Sequence, residues 1–242
     1  MVLNDPEGIR VNKYIASSGY CSRREADDLI TKGLVTIDGQ TAVNGSRVFP
    51  GQTVLVSGNP VVPTDDHIYI ALNKPLGITC TTDTRDKDNI VDFLGFEERI
   101  FPIGRLDKNS SGLILLTNDG SIVNKLLRSE NGHEKEYLVR VDKKIDDNFV
   151  IKMENGLPVA GQITLPCKVT PQGPYTFKIV LTQGLNRQIR RMCEYLGYRV
   201  VKLKRIRFMN ILLGDMKPGE FRYLNNREKQ LLLSGKGNTK NL

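Results

Sequence analysis

Gly104-Arg105-Leu106-Asp107-Lys108-Asn109-Ser110-Ser111-Gly112 runs straight into Leu113-Ile114-Leu115-Leu116-Thr117. A polar, glycine-bounded loop carries a carboxylate, and an apolar run that suits a buried strand follows it. Loops fixed by a rigid strand are common addresses for catalytic groups. An aspartate in such a loop serves a turn or a cap equally well. Outward from this strand, further strand patterns fall at 68–72, 136–141, 176–182 and 199–204, and helical periodicity at 121–128, 146–154, 186–196 and 226–232. Strands and helices alternate without a regular βαβ repeat, which predicts an α+β fold.

Upstream, residues 8–55 read as a small unit of their own. Val11, Tyr14 and Ile15 recur at i, i+3, i+4, a short amphipathic helix ending near Gly19. Ser22-Arg23-Arg24-Glu25 has capping-box spacing, and Ala26, Leu29 and Ile30 form the next buried stripe, up to Gly33. Asp38-Gly39 between two short runs is a tight-hairpin signal, and another strand is expected over 53–56. Arg23 and Arg24 occupy a first helical turn, where the macrodipole disfavours cations. A phosphate bound there would meet both guanidinium groups and the free amides of the helix end; two solvated side chains would need no ligand.

The 242 residues carry a net charge of +8, unevenly spread. Residues 1–64 are neutral, whereas 178–207 hold nine lysines and arginines against Glu194 alone, which is the whole excess. Such a field attracts polyanions, nucleic acid being the usual one, although a solvated basic face has the same composition. Two histidines, His67 and His133, and four well-separated cysteines leave no zinc-site spacing. Neither nucleotide-cradling glycine motif is present. Catalysis would therefore run on carboxylate, arginine and tyrosine, with no metal and no cofactor. No window is apolar for long enough to span a membrane, and residues 1–10 lack the apolar core of a secretory signal, so the cytoplasm is the expected compartment.

Two more segments stand out. In Glu134-Lys135-Glu136-Tyr137-Leu138-Val139, strand alternation puts Lys135 and Tyr137 on one face and Glu136 and Leu138 on the other. Tyr137 is either ordinary core or a platform for a stacked base. From Asn186, helical period places Ile189, Met192, Cys193 and Leu196 on one stripe, with Arg187, Arg191 and Glu194 opposite and Arg190 at the edge.

Ile9-Arg10-Val11-Asn12-Lys13-Tyr14-Ile15, Ser22-Arg23-Arg24-Glu25-Ala26 and Gly33-Leu34-Val35-Thr36-Ile37-Asp38-Gly39 resemble the small RNA-binding domain named after the fourth protein of the small ribosomal subunit. The resemblance implies an α-L fold and RNA contacts for Arg10, Lys13, Arg23 and Arg24. Asn73-Lys74-Pro75-Leu76-Gly77, Gly104-Arg105-Leu106-Asp107, Lys135-Glu136-Tyr137 and Arg187-Gln188-Ile189-Arg190-Arg191-Met192 together resemble the pseudouridine synthases of the RsuA/RluB/RluE/RluF family, over about residues 8–233. That resemblance implies a mixed, mainly antiparallel sheet domain and a reaction without cofactor. Asp107 would attack the sugar of a target uridine or abstract a proton from it. The freed uracil then turns and rejoins through carbon 5. Arg190 would pair with Asp107 and hold it ionised, its planar fork fixing the carboxylate. Tyr137 would stack on the flipped base and help remove the carbon-5 proton, and Arg105 would support the emptied RNA stack. Lys135, Arg187 and Arg191 would contact RNA.

The expected organisation is an RNA-binding domain over 1–58, a linker over 59–66, the catalytic domain over 67–233 and a frayed tail over 234–242. The expected partner is ribosomal RNA of the large subunit, with transfer RNA as a further candidate. No membrane and no obligate protein partner are expected, and the chain is expected to be a monomer. Two other functions share part of the pattern. A non-catalytic ribosome assembly factor would need the charge and the N-terminal domain but no meeting of Asp107 and Arg190. A glycoside hydrolase would need two catalytic carboxylates, whereas these segments offer only Asp107 as a loop carboxylate with a specific context.

Overall fold

Ser22 caps a helix by accepting from the Glu25 amide (3.2 Å), and the Glu25 carboxylate accepts in turn from the Ser22 amide (2.6 Å). A cap of this kind contributes about 1 kcal/mol. The computed structural model describes residues 7–128 and 131–235. Of the expected frayed tail, Ser234 closes a helix, Gly235 caps it, and the rest lies outside the described residues.

The chain divides into two compact units. One runs to Ile68 and takes in Phe96–Ile100 and Asn118–Gly120; the other holds the remainder. The first contains β1 (Ile9–Arg10), α1 (Val11–Ser17), α2 (Arg23–Thr31), β2 (Val35–Ile37), β3 (Gln40–Thr41), β4 (Arg47–Val48), β5 (Val54–Val56) and β6 (Asn59–Val61). Its sheet has the order β3-β2-β5-β6, and β1 pairs separately with β4. Tyr14, Ile15, Ala26, Ile30, Val35 and Val56 form its core. The β2–β3 reversal needs two left-handed residues, and Asp38 (φ 49°) and Gly39 (φ 79°) supply them. Residues 59–61, expected to open the linker, are instead the edge strand β6. The Ser57-Gly58 turn, also left-handed at both residues, folds them back onto β5. Pro60 is tolerated there because an edge strand does not need every amide.

The second unit contains β7 (Tyr69–Lys74), α3 (Ile90–Leu94), β8 (Phe101–Ile103), β9 (Ser111–Thr117), α4 (Val123–Leu127), β10 (Lys135–Val141), α5 (Asp147–Glu154), β11 (Pro158–Val159), β12 (Gln162–Ile163), β13 (Lys168–Gly173), β14 (Thr176–Leu181), α6 (Gln188–Tyr195), β15 (Val200–Phe208), β16 (Ile211–Leu212), β17 (Phe221–Tyr223) and α7 (Asn226–Ser234). Its main sheet runs β13-β14-β10-β15-β9-β7-β17. Pairings are antiparallel except β9 with β15, which makes the α+β sheet mainly antiparallel.

α5 and α6 pack on this sheet through Phe149, Met153, Ile189, Met192 and Cys193 against Val139, Phe177 and Ile179. Full burial of a side chain such as Phe177 contributes about 1.5–3 kcal/mol. α4 and α7 cover a second core around Leu113, Leu115 and Phe208.

The central pair β10–β15 is irregular. Tyr137 stands opposite Arg205 and Glu136 opposite Arg207, so Ile206 bulges between them. A bulge re-aims the side chains beyond it. Arg205 therefore shares a face with Tyr137, and Arg207 faces the other way.

Candidate active site

The loop 104–110 joins β8 to β9 and is braced from several sides. The Ser110 amide donates to the Asp107 carbonyl (2.9 Å), the Gly77 amide to the Lys108 carbonyl (3.0 Å) and the Leu106 amide to Cys80 Sγ (3.3 Å). Gly77 belongs to the turn after β7, which Lys74 holds closed. Its fully buried ammonium donates to the carbonyls of Pro75 (2.7 Å) and Ile78 (2.8 Å). Burial pushes that ammonium below the ordinary lysine range. The Asn73-Lys74-Pro75-Leu76-Gly77 segment thus props the carboxylate loop.

Asp107, one-third exposed, faces two arginines from the α6 region. Its Oδ2 lies 3.7 Å from Arg190 Nε and 3.8 Å from Arg187 Nη1. Both are ion-pair distances, longer than a hydrogen bond. Arg190 Nη2 donates instead to the Asn109 carbonyl (2.7 Å) and the Ser110 hydroxyl (3.1 Å). The fork expected to clamp the carboxylate therefore clamps the loop backbone and presents its charge to Asp107 from the side. The reason is the tight 107–110 turn, which offers a carbonyl and a hydroxyl nearer to the guanidinium than the carboxylate. Arg187 holds a left-handed backbone (φ 51°) at the start of α6. For a non-glycine residue that conformation costs about 1–3 kcal/mol, the kind of strain that concentrates at functional sites.

Within the second unit these groups border a cavity of about 780 Å³, with Asp107, Arg105, Tyr137, Lys135 and Arg187 among its lining. Arg105 is exposed at its edge, and Tyr137 is half-buried on its wall. Arg191 turns to the Asn186 side chain (2.9 Å) and does not line the cavity. Arg10, Lys13, Arg23 and Arg24 stand in the first unit. Arg23 and Arg24 are exposed on the first turn of α2, and neither is paired with a carboxylate among the described residues.

The reverse face of the sheet has another hollow, of about 740 Å³, whose lining includes Glu134, Glu136, Lys178 and Arg207. There the charges neutralise one another: Arg207 meets Glu134 (3.0 Å) and Glu136 (2.9 Å), and Lys178 meets Glu136 (3.7 Å). The basic stretch 178–207 is therefore not one patch, because β15 divides it between two faces. Burial raises the Cys80 thiol and pushes Cys193 up to about 12. The sequence reading missed Arg205, Phe208 and Gln188 as cavity walls. Only Gln188 had a local signal, its place between Arg187 and Ile189 at the start of the helix.

A braced loop carboxylate beneath two arginines, a tyrosine wall and a separate two-helix unit define the class: residues 68–195 match the family described as RNA pseudouridylate synthase, and residues 9–54 match the S4 domain. The chain is 55% identical to the dual-specificity RNA pseudouridine synthase RluF of Salmonella typhi over 90% of its length and 76% of the relative's. It is 33% identical to the ribosomal large subunit pseudouridine synthase B of Bacillus subtilis, over 92% and 95%. A crystal structure of a pseudouridylate synthase superposes with a TM-score of 0.69 at 26% identity, covering 93% of this chain and all of that one. The chain belongs to the RNA pseudouridine synthase family, with an S4 domain at its N-terminal side; its enzymes are isomerases.

Proposed function

We propose that this enzyme converts uridine to pseudouridine in large-subunit ribosomal RNA, with Asp107 as the catalytic carboxylate. The observation that carries this reading is Asp107 itself, the carboxylate of the cavity, beside Arg187 and Arg190 and in a lining that includes Tyr137. A uridine in a helix must first be flipped out, which costs a few kcal/mol. Tyr137 receives the flipped ring, Arg105 at the rim supports the stack it leaves, and Arg187 and Arg191 add RNA contacts. Asp107 then opens the glycosidic bond, by attack on the sugar or by proton abstraction from it. The dual specificity of the RluF relatives supports a second RNA class, for which transfer RNA is the candidate. We read the enzyme as a cytoplasmic monomer without an obligate protein partner; no helix among the described residues is long and apolar enough to cross a membrane. We read residues 1–58 as the RNA-binding domain, extended by β6 to Val61; the expected linker residues up to 66 belong to the same compact unit. The direct test is to incubate the protein with ribosomal and transfer RNA from a strain lacking it and to map pseudouridine. No new pseudouridine in ribosomal RNA would refute the assignment.

Two variants dissect Tyr137. Tyr137→Leu removes the ring, and with it about 1–3 kcal/mol of base stacking, so turnover falls about tenfold to a hundredfold. Tyr137→Phe keeps nearly full activity if stacking is the ring's whole task. Loss of turnover in Phe with RNA binding intact assigns the hydroxyl to proton transfer, and full activity in both removes Tyr137 from the site.

Arg23→Ala with Arg24→Ala weakens binding of long RNA while leaving the second unit unchanged. For each phosphate that is no longer neutralised, the log–log salt slope falls by about 0.7 in single-stranded regions. An unchanged slope in filter-binding titrations would place both arginines outside the RNA interface.

A further inference from the structure

The cavity holds more buried positive charge than its own structure needs. Arg205 is 3% exposed and Lys135 7%. Arg205 Nε donates to the Leu113 carbonyl (2.6 Å), but its Nη2 is buried without a hydrogen-bond partner. Lys135 Nζ has one carbonyl, that of Thr182, at 3.2 Å. Neither cation is paired with a carboxylate among the described residues, and Asp107 is engaged by Arg187 and Arg190. Both cations approach the Phe208 ring, Lys135 Nζ at 6.0 Å and Arg205 Cζ at 5.7 Å from its centroid. Across the bulge, Arg205 is the cross-strand neighbour of Tyr137. Two uncompensated cations in a low-dielectric wall are unfavourable until an anion arrives.

We propose that the Lys135 ammonium and the Arg205 guanidinium form the anion-binding floor that carries the negative charge of the uracil ring while it is detached from the sugar. This rests on the assignment of pseudouridine formation to this cavity. When the C1′–N1 bond breaks, its electron pair stays with the ring, and the uracil anion spreads that charge over N1 and its two carbonyl oxygens. Carbon 5 then donates a pair to C1′, loses its proton, and N1 takes one up, so the isomerisation balances. Sugar attack and proton abstraction by Asp107 both release the same anion. A backbone phosphate is the poorer occupant, because both cations are nearly fully buried beside the base-stacking wall. Burial, and secondarily Arg205, brings the Lys135 ammonium down to about 8, so it is still charged at neutral pH. Fixed charges aimed where charge develops act most strongly in such dry sites.

The test uses the full chain and a target-containing RNA under single-turnover conditions. Lys135→Met keeps the stem and removes the charge. It should bind RNA as the wild type does, melt no lower, and isomerise about a hundredfold more slowly. Lys135→Arg should recover most of the rate, which a loss of packing alone would not allow. With 5-fluorouridine at the target, whose ring bears negative charge more readily, the Lys135→Met defect in breaking the glycosidic bond should shrink. Weaker RNA binding and a shallower salt slope with an unchanged chemical rate would assign Lys135 to a backbone phosphate and overturn the proposal. So would an unchanged rate, a defect in Lys135→Met that Lys135→Arg fails to rescue, or one equally large on 5-fluorouridine. A wild type that forms no pseudouridine on any RNA would instead defeat the underlying assignment, and the proposal with it.

Discussion

Asp107→Asn folds, binds RNA and forms no pseudouridine. The amide matches the carboxylate in size, but it is neither a nucleophile nor a base. Loss of a central catalytic group costs about 10⁴-fold or more in turnover. The fold should not notice the change. Arg190 keeps its bonds to the Asn109 carbonyl and the Ser110 hydroxyl, so the loop stays braced. The two ion pairs removed by the change are long and one-third exposed at the carboxylate, which bounds the stability change at about 1 kcal/mol. Nucleoside analysis of treated RNA, with a thermal melt and a binding titration alongside, reads all three quantities. Activity above a tenth of wild type would remove Asp107 from the chemistry.

Gly112→Ala should cost about 3 kcal/mol or more and take activity with it. Gly112 has φ +101°, and a Cβ there would lie 2.2 Å from the Arg205 carbonyl oxygen and 2.7 Å from its amide nitrogen. These are backbone atoms of the paired strand, so no side chain can swing aside. β9 and β15 would have to part where they meet, at Gly112 opposite Arg205. That movement displaces the cavity floor and the strand that anchors the Asp107 loop. Urea unfolding measures the loss; a variant as stable as wild type would show that this approach is not constrained.

Several local determinants were legible in the sequence. The Ser22/Glu25 cap, the Asp38-Gly39 turn and the α6 stripe all depend on residues within two helical turns of one another, and each is formed as the pattern predicts. The meeting of Asp107 with Arg190 was legible only through family resemblance, since no spacing relates residues 83 apart. Arg205 escaped entirely. Its role depends on the bulge at Ile206, and plain alternation would put Arg205 and Arg207 on the same face. Lys74 escaped because a lysine ending an apolar strand reads as a solvated tip, whereas carbonyls up to four residues away bury it. The strand at 59–61 was hidden by Pro60, a strand breaker everywhere except at an edge.

The parallel pairing of β9 with β15 also sets an order of events during synthesis. Gly112 and Arg205 are 93 residues apart, an interval of about 5–19 s at translation rates of about 5–20 residues per second. The first unit has most of its sequence by Ile68, so it is nearly complete well before β15 is made. Meanwhile β9 pairs with β7 along one edge and with β8 at Leu115–Thr117 along the other, while the start of that second edge, at Ser111 and Gly112, waits for β15. An open strand edge beside an apolar run invites association with other chains. Slow elongation between residues 112 and 205 should therefore lower the yield of soluble enzyme more than an equal delay placed after residue 208.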